Sequence, residues 1–245
     1  MRSNEEKRQP EPGLDVKAGR ARDAKLARVA ILDAAEAVFS QHGFDGARVE
    51  AIAKASGYNV SLLFQYFGDK LGLYAAVLQR AYSETMELQA QVLGRGLEDE
   101  TIAFHAHRFR TVLESVVQVT FDYLLGHPRL LHILTWEMAE GWQTYAHIAS
   151  QFPPNESDKQ LEVLFKSAWR AGWLRSDYSA LIQLTLVFQV CQSYLAFLPL
   201  YQVMLPGEEV FSERALSGAR EHLVRFIVAG MMIDLPQTTE ERGES

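Results

Sequence analysis

Catalytic or metal chemistry would have to sit on the histidines, the cysteine and the small polar side chains, and their spacing argues against both. His105 and His107 stand two apart, so on a helix they point in different directions, and no third ligand follows at usable spacing. His127 reads as a helix start and His132 as a core or pocket residue. The chain has no glycine-rich phosphate loop, no serine elbow and no C-x-x-C pair. Its single cysteine, Cys191, allows no internal disulfide, which favours a reducing, cytoplasmic setting; no apolar leader precedes the first helix. No catalytic residue, metal ligand or cofactor is assigned, and an enzyme is not expected. What remains is the chemistry of recognition, concentrated in residues 49–70, VEAIAKASGYNVSLLFQYFGDK.

Two short helical patterns flank a glycine in that stretch. Val49, Ile52 and Ala53 recur at i, i+3, i+4 and give the first an apolar face. Gly57 closes it in the left-handed conformation, and Asn59 is placed to accept backbone N–H bonds as N-cap of the second. A turn of about three residues forces a steep crossing, and Ala53 is small enough for the backbones to approach closely. Leu63 and Phe67 point inward, which leaves Val60, Ser61, Phe64 and Gln65 on or beside the open face. The stretch reads as a helix-turn-helix.

Upstream, residues 25–42 place Leu32, Ala35 and Phe39 on one helical face, with Gly43 and Phe44 supplying the stop and its hydrophobic contact. Together with A-x-x-x-G (Ala53 to Gly57) and L-F-x-Y-F-x-x-K (Leu63 to Lys70), this resembles the DNA-binding domain of the tetracycline-repressor (TetR) family of bacterial transcriptional regulators. The resemblance covers residues 25–78. It implies that Val60, Ser61, Leu62, Phe64 and Gln65 face the major groove, with Gln65 suited to bidentate pairing with adenine, and that Tyr66 and Lys70 grip phosphates. Asn59 joins that surface, and Arg48, standing where the family carries a capping Thr, meets the backbone directly. Further departures are Phe64 for a frequent Tyr, Glu50, and Tyr58 for a smaller apolar residue; packing is the competing role for Phe64.

The net charge of −7 is unevenly spread: residues 1–80 carry 12 Lys/Arg against 10 Asp/Glu, the remainder 12 against 21. A mildly basic head on an acidic body orients the molecule toward DNA, although an excess of that size is supportive only. Residues 1–24 mix charges with proline and glycine and read as a flexible, partly basic extension. Its Lys17, Arg20 and Arg22, with Lys25 and Arg28, either reach DNA as an arm or are simply solvated. Residues 236–245 read as a disordered tail.

Beyond the head, taken as residues 25–72, the pattern over 73–235 stays helical. Candidate helices are 70–94, 101–126, 128–150, 157–172, 178–204 and 212–233, bounded by glycines and prolines. The resemblance implies an all-α fold of about nine helices, in which this larger domain binds effector and dimerises. Tyr178 to Leu205 contains no charged residue over 28 positions, long enough to span a bilayer, but Gln183, Gln189, Gln192 and Gln202 are costly in lipid and Pro199 breaks an interior turn. A buried helix covered by a second subunit is favoured, and no membrane partner is expected. Residues 212–233 form an amphipathic companion with Leu216, Leu223, Ile227 and Val228 inward; the resemblance pairs 178–204 and 212–233 with their copies in a homodimer.

Large aromatics in the body suit a hydrophobic or planar effector, for which His132, Trp136, Trp169, Phe188, Gln189 and Gln192 are the candidate contacts. The expected protein is therefore a cytoplasmic homodimeric repressor that binds a palindromic operator in double-stranded DNA and is released by a small hydrophobic or aromatic molecule. The rival readings are a DNA-binding protein of the same build controlled by a protein partner, and a membrane-associated helical protein.

Overall fold

The computed structural model describes residues 13–97, 105–152 and 156–233, and among them every extended element is α-helical apart from one 3-10 turn and a single antiparallel bridge between Leu174 and Met232. The chain divides into two compact units, residues 1–77 and 78–245.

The first unit contains α1 (Gly13–Gly46), α2 (Val49–Ser56), α3 (Val60–Phe67) and the start of α4 (Lys70–Leu97). Its core is largely apolar: Ile31, Leu32, Ala35 and Phe39 of α1 meet Ile52, Ala53, Leu63 and Phe67, closed by Leu73 and Tyr74, and the buried Ser40 hydroxyl is satisfied by the Ala37 carbonyl. Gly43 breaks α1 at φ 65°, a value most side chains resist. The chain beyond it folds Phe44 back onto Tyr74, ring centroids 5.2 Å apart, while Phe39 meets the same tyrosine edge-on at 4.9 Å.

The extension expected over residues 1–24 is corrected in part, because α1 already begins at Gly13. Pro10 and Pro12 are the last prolines before α1, and the following DVKAGRARDAKLAR, despite Gly19, is rich in Ala, Arg and Lys, all good helix formers. Residues 1–12 and the tail at 236–245 lie outside the described residues.

The second unit holds the rest of α4 with α5 (Ala106–Gly126), α6 (Pro128–Ala139), α7 (Gln143–Ile148), α8 (Glu156–Arg170), α9 (Ala180–Ala196), α10 (Leu198–Met204) and α11 (Glu213–Met231). The centre is α5, whose Phe109, Leu113, Val117, Phe121 and Leu124 are buried against Val187, Cys191 and Leu195 of α9 and Leu223, Ile227 and Val228 of α11. Asp122 of α5 accepts from Arg220 of α11 at 2.8 Å, a surface pair that adds at most about 1 kcal/mol.

Eleven α-helices stand among the described residues where about nine were expected. The helix expected over 128–150 ends at Ala139, because Gly141 and Trp142 both take positive φ, 70° and 60°, before α7 starts. That expected over 178–204 is α9 and α10, bent by 47° at Phe197, and Pro199 sits in the first turn of α10, where its missing N–H costs nothing. Neither helix is long and apolar enough alone to cross a membrane, and only the bent pair satisfies length and composition together. The helix expected from residue 101 begins at Ala106, and residues 101–104 lie outside the described set.

Candidate nucleic-acid interface and body cavity

In the head, the eight-residue α3 is set by its ends. Asn59 has extended backbone, and its side-chain oxygen accepts from the Leu62 N–H at 2.8 Å. Gly68, at φ 82°, returns its N–H to the Phe64 carbonyl at 2.8 Å. Leu63 and Phe67 anchor the inner face, so the phase of the helix leaves Ser61, Phe64 and Gln65 exposed and Val60, Leu62 and Tyr66 half-buried. Phe64 is 42% exposed, so its ring stands outside the core.

Two cations brace this element from within the head. Arg28 donates to the Tyr66 carbonyl at 3.4 Å and lies 4.6 Å above the Phe67 ring, satisfying a helix-end carbonyl with a positive charge. Lys70 donates to the Asp45 carbonyl at 3.2 Å and sits 4.7 Å over the Phe44 ring, fastening the start of α4 to the end of α1. Arg28 is thus part of the helix-turn-helix architecture rather than of a separate arm. Arg48 is exposed at the N-cap position of α2 and makes no side-chain capping bond there. Asn59 directs its oxygen to the cap, which leaves its amide nitrogen as the part able to face outward.

The body contains a cavity of about 580 Å³ between α4, α6, α8 and α9. Helical phase selects its walls. Leu130, Leu134 and Glu137 follow at i, i+4, i+7 on α6, and Leu181, Leu184 and Phe188 recur at the same kind of interval on α9. The α4 wall, Leu78, Ala81 and Tyr82, is tied to α5 by the Tyr123 hydroxyl, which donates to the Ala81 carbonyl and to Glu84, each at 3.2 Å.

The turn after α6 supplies an aromatic side. Trp142 is the one non-glycine residue with positive φ among those described, an uncommon conformation for a bulky side chain. It meets Tyr145 edge-on at 6.0 Å; Tyr145 stacks on Phe152 at 5.7 Å, and Phe152 meets Tyr82 edge-on at 5.7 Å. Burial pushes the Tyr145 phenol up from its ordinary range.

Charge enters the lining at three places. Glu137 is buried, 1% exposed, and accepts the Tyr145 N–H at 3.1 Å, so it fixes the turn that carries the aromatics. For Glu162, desolvation pushes the carboxyl up, but bonds from the Ser179 side chain and the Ala180 and Leu181 amides, with the Lys166 charge, outweigh it and hold it below the usual range. Among the described lining residues Lys159 is the only cation, and it is exposed.

Of the six expected effector contacts, Phe188 alone lines this cavity. His132, Trp136, Trp169 and Gln189 are exposed elsewhere. Trp136 precedes Glu137 by one residue, a turn of about 100° that carries its indole off the cavity face. Gln192 is buried one turn beyond Phe188, with its amide nitrogen lacking a hydrogen-bond partner. The polar lining residues Glu137, Lys159 and Glu162 were missed. The apolar phase of α6 marked the face of Glu137, but a glutamate in that position ordinarily signals solvent.

Comparison with known proteins follows the same division. Residues 31–77 match the family model described as bacterial regulatory proteins, tetR family. The HTH-type transcriptional repressor SCO4008 of Streptomyces coelicolor is 32% identical over 120 residues, 49% of this chain and 54% of that protein, so the chain spans about half of that relative's length. The HTH-type transcriptional regulator RutR of Escherichia coli is 29% identical over 222 residues, 86% of this chain and 93% of its own. The crystal structure of the regulator FadR from Bacillus subtilis in complex with stearoyl-CoA superposes with a TM-score of 0.54, covering 82% of this chain and 98% of that one, and at 16% identity it speaks for the fold alone. With the glycine-closed α2 and the Asn59-capped α3 accounted for, residues 31–77 match the tetR family of bacterial regulatory proteins, and most of the chain is similar in sequence to RutR.

Proposed function

We propose that the protein is a homodimeric repressor whose heads read a palindromic operator and whose body releases it when a small hydrophobic or aromatic effector fills the cavity. The observation that carries this reading is the cavity of about 580 Å³, a drug-sized volume, one wall of which is the helix α4 that starts in the head at Lys70. A ligand that favours one arrangement of α4 biases the head equilibrium by its differential affinity for the two states, with no contact to DNA. FadR, of the same fold, holds stearoyl-CoA, so such a fold accommodates a ligand with a long apolar chain.

On this reading Ser61 and Gln65 offer hydrogen bonds to base edges, Val60, Leu62 and Phe64 offer apolar contact to thymine methyls, and Arg48, Asn59, Tyr66 and Lys70 meet the backbone. One helix of this length touches too few bases for selectivity, so two heads on a twofold axis are required, engaging grooves about 34–36 Å apart. The exposed Leu181, Ile182 and Leu186 on α9 and Phe226 on α11 supply apolar surface for that dimer. Control by a protein partner leaves the cavity without a purpose, and a membrane role would require the bent α9–α10 pair to leave its packing on α5.

The experiment is selection of bound DNA from a random pool, followed by affinity against salt on the enriched sequence. A palindromic winner with a steep salt slope is expected. Absence of any enriched sequence would remove the operator-binding reading.

A further inference from the structure

We infer that the Gln192 side-chain amide is the hydrogen-bond donor of the effector site, and that the effector is a neutral, largely apolar molecule carrying a carbonyl or ether oxygen to meet it. The inference rests on the body cavity being the effector site and deepens that reading.

Two observations meet at Gln192. The first is its amide. Among the described residues, Gln192 Nε2 is the buried side-chain nitrogen or oxygen without a hydrogen-bond partner, on a residue only 2% exposed. Earlier on the same helix Gln183 is also buried, but its Nε2 donates to the Tyr178 carbonyl at 2.6 Å. Helix α9 thus encloses two amides, satisfies one, and leaves the other with protons to give. Enclosing a donor without an acceptor costs stability that an apolar side chain of equal length would not cost. The cost is recovered when an acceptor arrives.

The second observation is position. Leu181, Leu184 and Phe188 form the α9 wall of the cavity, and Gln192 follows Phe188 at i+4 on the same line of the helix. Long side chains on a helix lean toward its N-terminus, over the preceding turn. That direction carries the Gln192 amide toward the Phe188 end of the cavity, where a ligand running along the wall would reach it.

The chemistry of the ligand follows from the donor and its surroundings. An amide NH2 only donates, so the atom it meets must accept. One neutral donor replaces little of the water that a carboxylate or phosphate would lose among Leu130, Leu134 and Leu184, which excludes an anion at that end. A carbonyl or ether oxygen loses far less, and a single hydrogen bond restores it. The hydrocarbon analogue would fill the same space and leave the amide unpaired, so Gln192 selects for the oxygen rather than for the shape.

The test is calorimetric titration of the full-length protein with butyrophenone and with butylbenzene, which share a carbon frame and differ by the carbonyl. The ketone should bind at least about tenfold more tightly, the effect of one hydrogen bond to an enclosed donor. Gln192→Met keeps the length of the side chain without the donor, so it should bind the hydrocarbon at least as tightly as the ketone, and its unliganded Tm should not fall. On the native protein, the carbonyl stretch of bound butyrophenone should lie at lower frequency than in an alkane solvent, a readout that serves if the variant fails to fold. Equal affinity for the two probes, ketone preference kept in folded Gln192→Met, or an unshifted carbonyl stretch would overturn the inference while leaving the cavity as the effector site. Binding of neither probe would overturn the inference and the cavity reading together. Operator selection is untouched by all of these results, so failure of the DNA-binding reading is separately visible.

Discussion

Gly72 stands against the carbonyl oxygen of Phe67 so closely that a Cβ at position 72 would collide with it. The last residue of α3 and the first turn of α4 are thereby fixed in register, and the Gly72 N–H completes the arrangement by donating to the Asp69 carboxylate at 2.7 Å. Gly72→Ala must push backbone against backbone, which no side-chain rotamer relieves. A loss of about 3 kcal/mol in head stability is expected. Urea unfolding of the variant checks it, and a loss below about 1 kcal/mol would mean that the α3–α4 junction yields more easily than its packing implies.

The capping bond from Asn59 makes a milder and separable prediction. Asn59→Ala removes the acceptor for the Leu62 N–H and should cost about 1 kcal/mol, whereas Asn59→Ser should retain most of it. Because the bond orders the first turn of α3, operator affinity should follow the same ranking, measured by anisotropy on the selected DNA. Equal binding by the alanine and serine variants would instead assign Asn59 to DNA contact through its amide nitrogen.

Lys70 and Gln65 should differ in kind rather than in degree. Lys70→Met keeps an unbranched chain over the Phe44 ring but deletes the charge, so binding should weaken on every sequence and the salt slope should fall by about 1. Gln65→Ala leaves the slope unchanged and relaxes preference at one base pair, at a cost of about 1–3 kcal/mol on the selected site. A parallel loss for both variants on all sequences would contradict this division.

The buried thiol of Cys191 gives a pH-dependent expectation. Burial between α5 and α9 pushes it from 9.0 up to about 12. Its pKa being raised in the folded state, the stabilisation is complete below 9.0, where both states hold the proton. It is lost as pH climbs toward about 12, because the unfolded chain ionises first. Above pH 9 the loss approaches about 1.4 kcal/mol per pH unit, and Cys191→Ala should abolish that component. At pH 8 the native thiol should react with a disulfide reagent only as fast as the protein opens; prompt reaction would show that the α5–α9 seam admits solvent.

Which parts of this architecture were legible depended on how local their causes are. Gly57, Asn59 and the Leu63/Phe67 pair act within one turn of chain, and each does in the structure what its type and spacing imply. The break after α6 was not legible in the same way, since it needs Trp142 in a left-handed conformation that tryptophan seldom adopts without tertiary support. Pro199 was visible as a breaker, yet its role at the start of α10 requires knowing that α9 has already ended at Ala196.

The cavity shows the same limit. Residue type suggests Trp136, Gln189 and Gln192; helix phase turns Trp136 and Gln189 off the cavity face, whereas Gln192 shares the phase of Phe188 but lies one turn beyond the lining, and Glu137 accepts from an amide eight residues along the chain. Helix α1 was shortened in expectation because charge and glycine near the N-terminus resemble a tail. The Ala- and Arg-rich run from Asp15 onward carries helix propensity of its own.

Trp142 also gives the molecule a built-in optical probe. Of the four tryptophans, Trp136 and Trp169 are 41% and 43% exposed, Trp173 is in the core, and Trp142 alone borders the cavity. Its indole lies 6.0 Å from the Tyr145 ring, near enough to collect that phenol's excitation by resonance transfer. With the two exposed indoles replaced by phenylalanine, the emission of Trp142 against the constant background of Trp173 would register occupancy, exchange and displacement in real time, with no dye attached and no DNA present.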